Sequence, residues 1–357
     1  MKKLVANRPK PIITDIDVIG YHKGMETSYA VEALVEGYFV LVLDFYSSGL
    51  EILKELKKEL LQQYSGNSFK TQRNYREKYN QLSNCLLLEV SDNNLSVKKA
   101  PQIGWLKILY PNIENFLLSF PQIQGLNSSW QWYKKGINIP VIGKKIYPWY
   151  GTYFPTRFEH LELFDQWLKN FQGEKSLAYD IGIGSGVLSL QLHKYGFSNI
   201  IGTDTNPNAI IGLKDFIKTK NLGKHIQLKY GDLFVDEKQQ ADLIIFNPPW
   251  LPINRNVIGI DQAMYYPEDL FPRFFEQAYH HLKPNGRLVI IFSNLAQITQ
   301  TTHLHPVEEE LGKNKQFLQK ELLKKKVKNA SKSTKRILSY RGQEEVELWV
   351  LGKRNKC

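Results

Sequence analysis

Past residue 157 the chain switches regularly between two hydrophobic periods. Within 158–171, Leu161, Phe164, Trp167, Leu168 and Phe171 fall at helical spacing and Gly173 follows as a stop signal, which predicts a helix. Short apolar runs then predict strands at Leu177–Ile181, 199–202, Ile226–Tyr230, 243–246 and 287–292. Between them, helical periodicity covers 187–195, 208–220 and 271–282, with a glycine turn at 182–186. A last strand is expected at 348–351. Such alternation specifies a mostly parallel, doubly wound sheet covered by helices on both faces, an α/β fold.

The first part of the chain lacks that rhythm and reads as a separate α+β region, residues 1–146. Residues 37–45 predict a buried strand, and Ser48 is placed to cap a helix carrying Leu50, Leu53, Leu56, Leu60 and Leu61. Residues 71–81 are polar, a connector or an exposed helix. Residues 85–90, the turn Asp92-Asn93-Asn94 and residues 95–99 predict a hairpin, and 113–120 a short helix. Trp105, Trp130, Trp132 and Tyr133 are interleaved with Lys134, Lys135, Lys144 and Lys145. That mixture suits stacking on single-stranded nucleic acid, and equally ordinary core packing. A linker at 147–151 opens the second domain, 147–357.

Composition changes this picture in three places. No apolar run approaches the roughly 20 residues of a membrane helix, and Leu4-Val5-Ala6 after Met1-Lys2-Lys3 is no signal core. No membrane partner and a cytoplasmic location are therefore expected; the oligomeric state is left open. Cys85 and Cys357 supply neither a disulfide framework nor zinc spacing. The net charge of +12 favours anionic partners, nucleic acid first. Residues 313–336 hold ten Lys or Arg and the single acid Glu321. There Phe317, Leu318, Leu322 and Leu323 predict an amphipathic helix, its basic face either solvated or set against RNA or phosphate.

Chemistry concentrates where strands are expected to end. Residues 243–246 stop at two prolines, so Asn247 sits at the carboxyl edge of the sheet, followed by Pro248, Pro249 and Trp250. An amide, a carbonyl with no N–H on the next residue and an indole suit a flat, amine-bearing group; a plain turn needs the same residues. Asp180-Ile181-Gly182-Ile183-Gly184-Ser185-Gly186 joins a strand to a helix, where glycines admit a ligand to the backbone. Val187 departs from the dinucleotide fingerprint, which wants glycine at that sixth position. Asp204 closes the next strand and is placed to grip ribose hydroxyls, a demand shared by NAD and S-adenosylmethionine. Asp232, followed by Leu233, ends the third strand; either aspartate also suits a turn or cap. His280-His281 and His303-Leu304-His305 lack metal-site spacing and read as a helix end and a polar loop, with no metal expected.

These motifs together resemble class I S-adenosylmethionine-dependent methyltransferases, and residues 244–250 resemble the Asn-Pro-Pro-aromatic signature of their amino-methylating branch. That branch includes adenine-N6 DNA and RNA enzymes, release-factor glutamine enzymes and ribosomal RNA guanine-N2 enzymes with the small methyltransferase domain. The resemblance covers about residues 150–295 and implies a Rossmann-like domain using S-adenosyl-L-methionine. Carried over, the loop from Asp180 through Gly182, Ile183, Gly184, Ser185 and Gly186 would face the methionine moiety. Asp204 would hold the ribose, and Asp232 with Leu233 would bracket the adenine. Asn247 would border both cofactor and substrate and, with the Pro248 carbonyl, take the target N–H groups. Pro249 and Trp250 complete the catalytic motif, with Phe154 and Trp250 as substrate contacts. Phe154-Pro155-Thr156-Arg157 echoes a segment of the glutamine enzymes, except that Thr156 intervenes between Pro and Arg; Glu159 would be its acid.

The implied activity is methyl transfer to a planar amine nitrogen, a nucleobase of RNA or DNA. A protein glutamine side chain is the alternative. More remote are an NAD-type oxidoreductase and a binding protein that keeps the fold without turnover.

Overall fold

The computed structural model describes residues 4–65, 69–253, 265–313, 316–328 and 343–354, and for residues 69, 70 and 73 the backbone alone. The chain divides into two compact units, residues 8–135, and residues 1–7 with 136–357.

In the first unit, β1 (Val18–Tyr21), α1 (Thr27–Glu36), β2 (Phe39–Val42), α2 (Tyr46–Gln63), α3 (Phe69–Ser83) and β3 (Leu86–Ser91) follow in order. The three strands are parallel neighbours. β4 (Asn94–Leu95), α4 (Gly104–Leu109), β5 (Asn115–Ser119) and α5 (Phe120–Lys135) complete the unit. Both β4 and β5 pair antiparallel with β3. Asp92 and Asn93 turn the hairpin at φ 49° and 64°, a conformation their short polar side chains tolerate.

Three expectations change here. The helix expected over 113–120 is β5: Phe116 and Leu118 are buried opposite Val90 and Leu88 of β3. A short apolar run fits either period, and sheet pairing decides it. The strand expected over 37–45 is confined to β2, because Gly37 (φ 94°) is still ending α1 and Leu43 is exposed. Ser48 lies inside α2 instead of capping it. The Asp44 carboxylate accepts the Phe45 N–H at 2.6 Å and the Ser48 hydroxyl at 3.1 Å, so the helix starts earlier and buries Ile52, Leu53, Leu56 and Leu60. Trp105, Trp130 and Tyr133 pack on one another with ring centroids 4.7, 5.3 and 5.6 Å apart, so these rings build core.

The second unit opens with a hairpin, β6 (Ile137–Ile139) and β7 (Lys144–Ile146), then α6 (Glu159–Asn170). β8 (Leu177–Ile181), α7 (Val187–Lys194), β9 (Asn199–Asp204), α8 (Pro207–Thr219), β10 (Ile226–Tyr230) and β11 (Ala241–Phe246) continue it. A small pair, β12 (Leu251–Pro252) and β13 (Tyr265–Tyr266), precedes α9 (Leu270–His281) and β14 (Leu282–Ser293). α10 (Leu295–Ile298), α11 (Pro306–Lys313), β15 (Phe317–Lys326) and β16 (Glu345–Lys353) follow.

The sheet order is β10-β9-β8-β11-β14-β16-β15, with the first five strands parallel and β16 antiparallel to both its neighbours. This is the expected Rossmann-like, mostly parallel sheet. From β8 the chain steps outward to β9 and β10, then returns to build β11 and β14 on the other side. Open α/β sheets leave a crevice at the carboxyl ends of the strands where the order reverses, here between β8 and β11. Helices cover both faces. Leu243 and Ile245 of β11 enter one core cluster, Ile244 and Phe246 the other. That double burial explains its unbroken apolar run.

The amphipathic helix expected over 313–336 is overturned across its described part, where β15 forms an edge strand against β16. A bulge between Gln319 and Glu321 breaks the two-residue alternation, which leaves Phe317, Leu318, Leu322 and Leu323 at helix-like intervals. Lysines on an edge strand deter further pairing. Two of them are occupied: Lys324 meets Glu347 at 2.7 Å and Lys325 meets Glu162 at 2.6 Å. Residues 314–315 and 329–336 lie outside the described residues, as does Cys357. His305, expected in a polar loop, is buried against Phe292 and Trp349, with Nε2 3.1 Å from Glu347. Among the described residues, no helix is long and apolar enough to cross a membrane.

Candidate functional site

Strand register assembles the site. Ile181 of β8 pairs with Phe246 of β11 on one side and Thr203 of β9 on the other. The next residues, Gly182, Asn247 and Asp204, therefore emerge side by side at the carboxyl edge. Tyr230 pairs with Asp204, which sends Asp232 out beside them. A one-residue slip in any of these pairings would turn its side chains to the opposite face.

The loop after β8 needs its glycines. Gly182, Gly184 and Gly186 have φ of 68°, 50° and 77°, where a side chain is strained. A Cβ on Gly186 would also stand 2.8 Å from Leu213. Ile183 is buried and fills the space a side chain at Gly202 would take. Ser185 is half-buried and, with Gly184, Trp149, Leu213 and Phe216, lines a shallow groove.

Two carboxylates lie beneath this loop. Asp204 accepts the Gly184 N–H and the Asn206 N–H, each at 2.8 Å. Burial pushes its carboxyl up, against the pull of those two bonds. Asp180 is fully buried; one oxygen accepts the Ser189 hydroxyl at 2.6 Å and the other has no partner. Burial pushes Asp180 up to about 7, Ser189 holds it down, and the neighbouring Asp204 charge adds to the rise. An unpartnered buried oxygen beside a second, half-buried carboxylate makes a cradle for a cation.

At the end of β11, the Trp250 indole Nε1 donates to Asn247 Oδ1 at 3.2 Å. That bond orients the amide, leaving Oδ1 further accepting capacity and both Nδ2 protons free of it. Pro248 is buried, and because Pro249 carries no N–H, the Pro248 carbonyl meets no donor from its neighbour. Trp250 is half-buried and meets His160 of α6 edge-on, ring centroids 6.2 Å apart. Burial holds His160 down at about 4, so it is neutral at pH 7. Phe154 and Trp250 are partly buried against the same core cluster.

Several expected site residues also make contacts within the protein. The Asp232 carboxylate pairs with Arg273 of α9, which also bonds Asp269 at 2.7 Å. Leu233 is buried. Arg157 meets Glu344 at 3.3 Å, and Glu159 accepts the Lys328 N–H at 3.0 Å. Arg273, Ser189 and His160 carried no sequence signal for a role here. Asn206-Pro207 did, as a cap followed by proline at the first helical position. Asn206 accepts the Asn208 N–H at 3.1 Å, and its Nδ2 ties the Gly151 carbonyl to the loop at 2.8 Å.

Comparison with known proteins follows this geometry. Residues 163–324 match the sequence profile of the methyltransferase small domain. A Methanocaldococcus jannaschii relative named for protein N5-glutamine methyltransfer is 31% identical over 142 residues, 38% of this chain and 71% of that protein. A ribosomal protein L11 methyltransferase of an Exiguobacterium species is 25% identical over 191 residues, 48% of this chain but only 55% of its own length. Among solved structures, the ribosomal protein L11 methylase of Lactobacillus delbrueckii subsp. bulgaricus has a TM-score of 0.38 at 17% identity, covering 57% of this chain and 83% of that one.

Proposed function

The chain belongs to the methyltransferase small domain family, and from that premise we propose that this S-adenosylmethionine-dependent enzyme methylates a planar nitrogen, a nucleobase amine of RNA or DNA. The observation that carries the reading is the Asn247–Trp250 pair: an amide held in one orientation, beside an aromatic face, where the sheet order reverses. A flat ring bearing an amine uses both features.

The residues present fit the cofactor. The unpartnered Asp180 oxygen and the half-buried Asp204 make a negative cradle, and the glycines leave the backbone bare at three positions of the loop. Asp180, Gly182, Ile183, Gly184, Ser185 and Gly186 would hold the methionine part, Asp204 the ribose, and Asp232 with Leu233 the adenine. The bound cofactor supplies an electrophilic methyl group on a positively charged sulfur.

The remaining work falls to Asn247, Pro248 and Trp250. Asn247 Oδ1 and the Pro248 carbonyl accept the target's two N–H protons. That pulls the nitrogen toward tetrahedral geometry and points its lone pair along one line. Orientation and placed acceptors carry the catalysis. The nitrogen grows more acidic as it is alkylated, so its proton can leave without a strong base.

The Methanocaldococcus relative favours a second reading, a protein glutamine amide, whose planar NH₂ presents the same two protons. Cell extract incubated with radiolabelled cofactor and the enzyme separates the two. Label released by RNase or DNase supports the nucleobase. Label released by protease alone moves the assignment to glutamine.

A further inference from the structure

A second cluster, wholly within residues 8–135, has no part in the site just described. Phe45 follows β2, half-buried, and three lysine ammonium groups surround its ring. Lys23 lies 5.5 Å from the ring centroid, Lys98 5.8 Å and Lys99 5.9 Å, so all three sit within about 12 Å of one another. The cluster is assembled from three loops. Lys23 comes from the loop after β1, Phe45 from the loop after β2, and Lys98 and Lys99 from the segment after β4. A parallel bridge joins Phe45 to Lys98, and the Tyr46 N–H donates to the Lys98 carbonyl at 3.1 Å. The ring thus stands at the carboxyl ends of β1 and β2, two parallel strands.

The charges there are unbalanced. All three lysines are exposed, and none makes an ion pair among the described residues. The one acid in the cluster, Asp44, spends its oxygens on the Lys23 and Phe45 N–H groups and the Ser48 hydroxyl. Its charge offsets one ammonium and leaves two. A benzene ring has two faces, so three cations around it cannot all gain fully from its quadrupole, and at low salt, where the Debye length exceeds their spacing, they repel one another. Anionic groups that bridge the ammoniums relieve that repulsion, and the half-exposed ring offers a stacking face between them. Cations flanking an aromatic platform are the pattern of single-stranded nucleic acid sites.

We propose that Phe45, Lys23, Lys98 and Lys99 form a binding site for a single-stranded nucleic acid, phosphates on the lysines and a base on Phe45. It shares no residue with the methyl-accepting site, and binding without turnover tests it independently of which nitrogen is methylated.

The probe is a fluorescein-labelled 12-mer of uridine, titrated with the full chain at several salt concentrations. Replacing Lys23, Lys98 and Lys99 by Gln should weaken binding at least tenfold at low salt. It should also flatten the plot of log affinity against log salt by about two, at roughly 0.7 per phosphate contact on a single strand. Phe45→Leu keeps an apolar side chain but no stacking face. It should weaken binding by roughly five- to a hundredfold with the slope unchanged. A charge-matched control replaces Lys54, Lys57 and Lys58, exposed on α2, by Gln. Equal losses in both triple variants would reduce the effect to net charge and overturn the proposal. So would wild-type affinity and slope in the Lys23/Lys98/Lys99 variant, or full displacement of the 12-mer by millimolar inorganic phosphate.

Discussion

Asp180→Asn probes the buried cradle without altering its shape. The wild-type carboxyl is pushed up from 3.8 to about 7 by burial, one oxygen bonded to Ser189 and the other unpartnered. A raised acid pKa means that, between pH 4 and 7, the folded state keeps a proton that the unfolded chain has lost. Stability therefore falls as pH rises through that window. The distance from 3.8 to about 7 corresponds to roughly 4 kcal/mol, all of it lost above pH 7. Asparagine cannot ionise, so the variant should escape this loss. Thermal melts of cofactor-free protein from pH 4 to 8 should show the variant gaining on wild type as pH rises. At roughly 2–4 °C per kcal/mol for a unit of this size, the gain approaches 10 °C. Saturating S-adenosylhomocysteine, which carries a positive ammonium, should shrink the gap. Parallel melting curves across the whole range would refute the claim that Asp180 is a strained, unpaired charge.

Other expectations concern the cofactor and the terminal strands. S-adenosylhomocysteine at 100 times its Kd should stabilise the protein by about 2.7 kcal/mol by mass action, while NAD should leave the melting temperature unmoved; a shift with NAD alone would overturn the cofactor assignment. In isothermal titration, Asp204→Ala should weaken that binding by roughly 1–3 kcal/mol. Burial pushes Glu347 up, yet bonds from His305, Lys324 and Trp349 outweigh it and hold the carboxyl down at about 2. A depressed acid stabilises the fold above its unfolded value of 4.5, and that contribution, on the order of 3 kcal/mol, disappears as pH falls toward 2. In urea melts Glu347→Gln should trail wild type at pH 7 and converge with it near pH 2.5; a constant gap would show the carboxylate's charge to be irrelevant.

The legible part of the fold was the part with a clean period. β8 occurs at the residues expected from its apolar run, because a strand covered on both faces admits few polar positions. β10, an edge strand, also falls where expected, from its alternation of Ile226 and Leu228 with polar residues. The carboxyl-edge positions of Gly182, Asp204 and Asn247 followed from where those runs stop. Residues 115–119 were misread as helix because five residues cannot distinguish two periods. β15 was misread because its bulge removes the alternation that marks a strand. Long-range partners were illegible for a different reason. Arg273 meets Asp232, and His305 meets Glu347, across 41 and 42 residues, and no local pattern carries that information.

Turnover of Asn247→Ala tests the central claim most directly. The side chain stands at a strand end and accepts a bond from the Trp250 indole, so its removal should leave the protein folded and still able to bind S-adenosylhomocysteine. Methyl transfer to the substrate found by the labelling experiment should fall about 10²–10³-fold, the usual loss when one transition-state hydrogen-bonding group is deleted. Wild-type turnover in Asn247→Ala would reduce Asn-Pro-Pro-Trp to a turn and contradict the account.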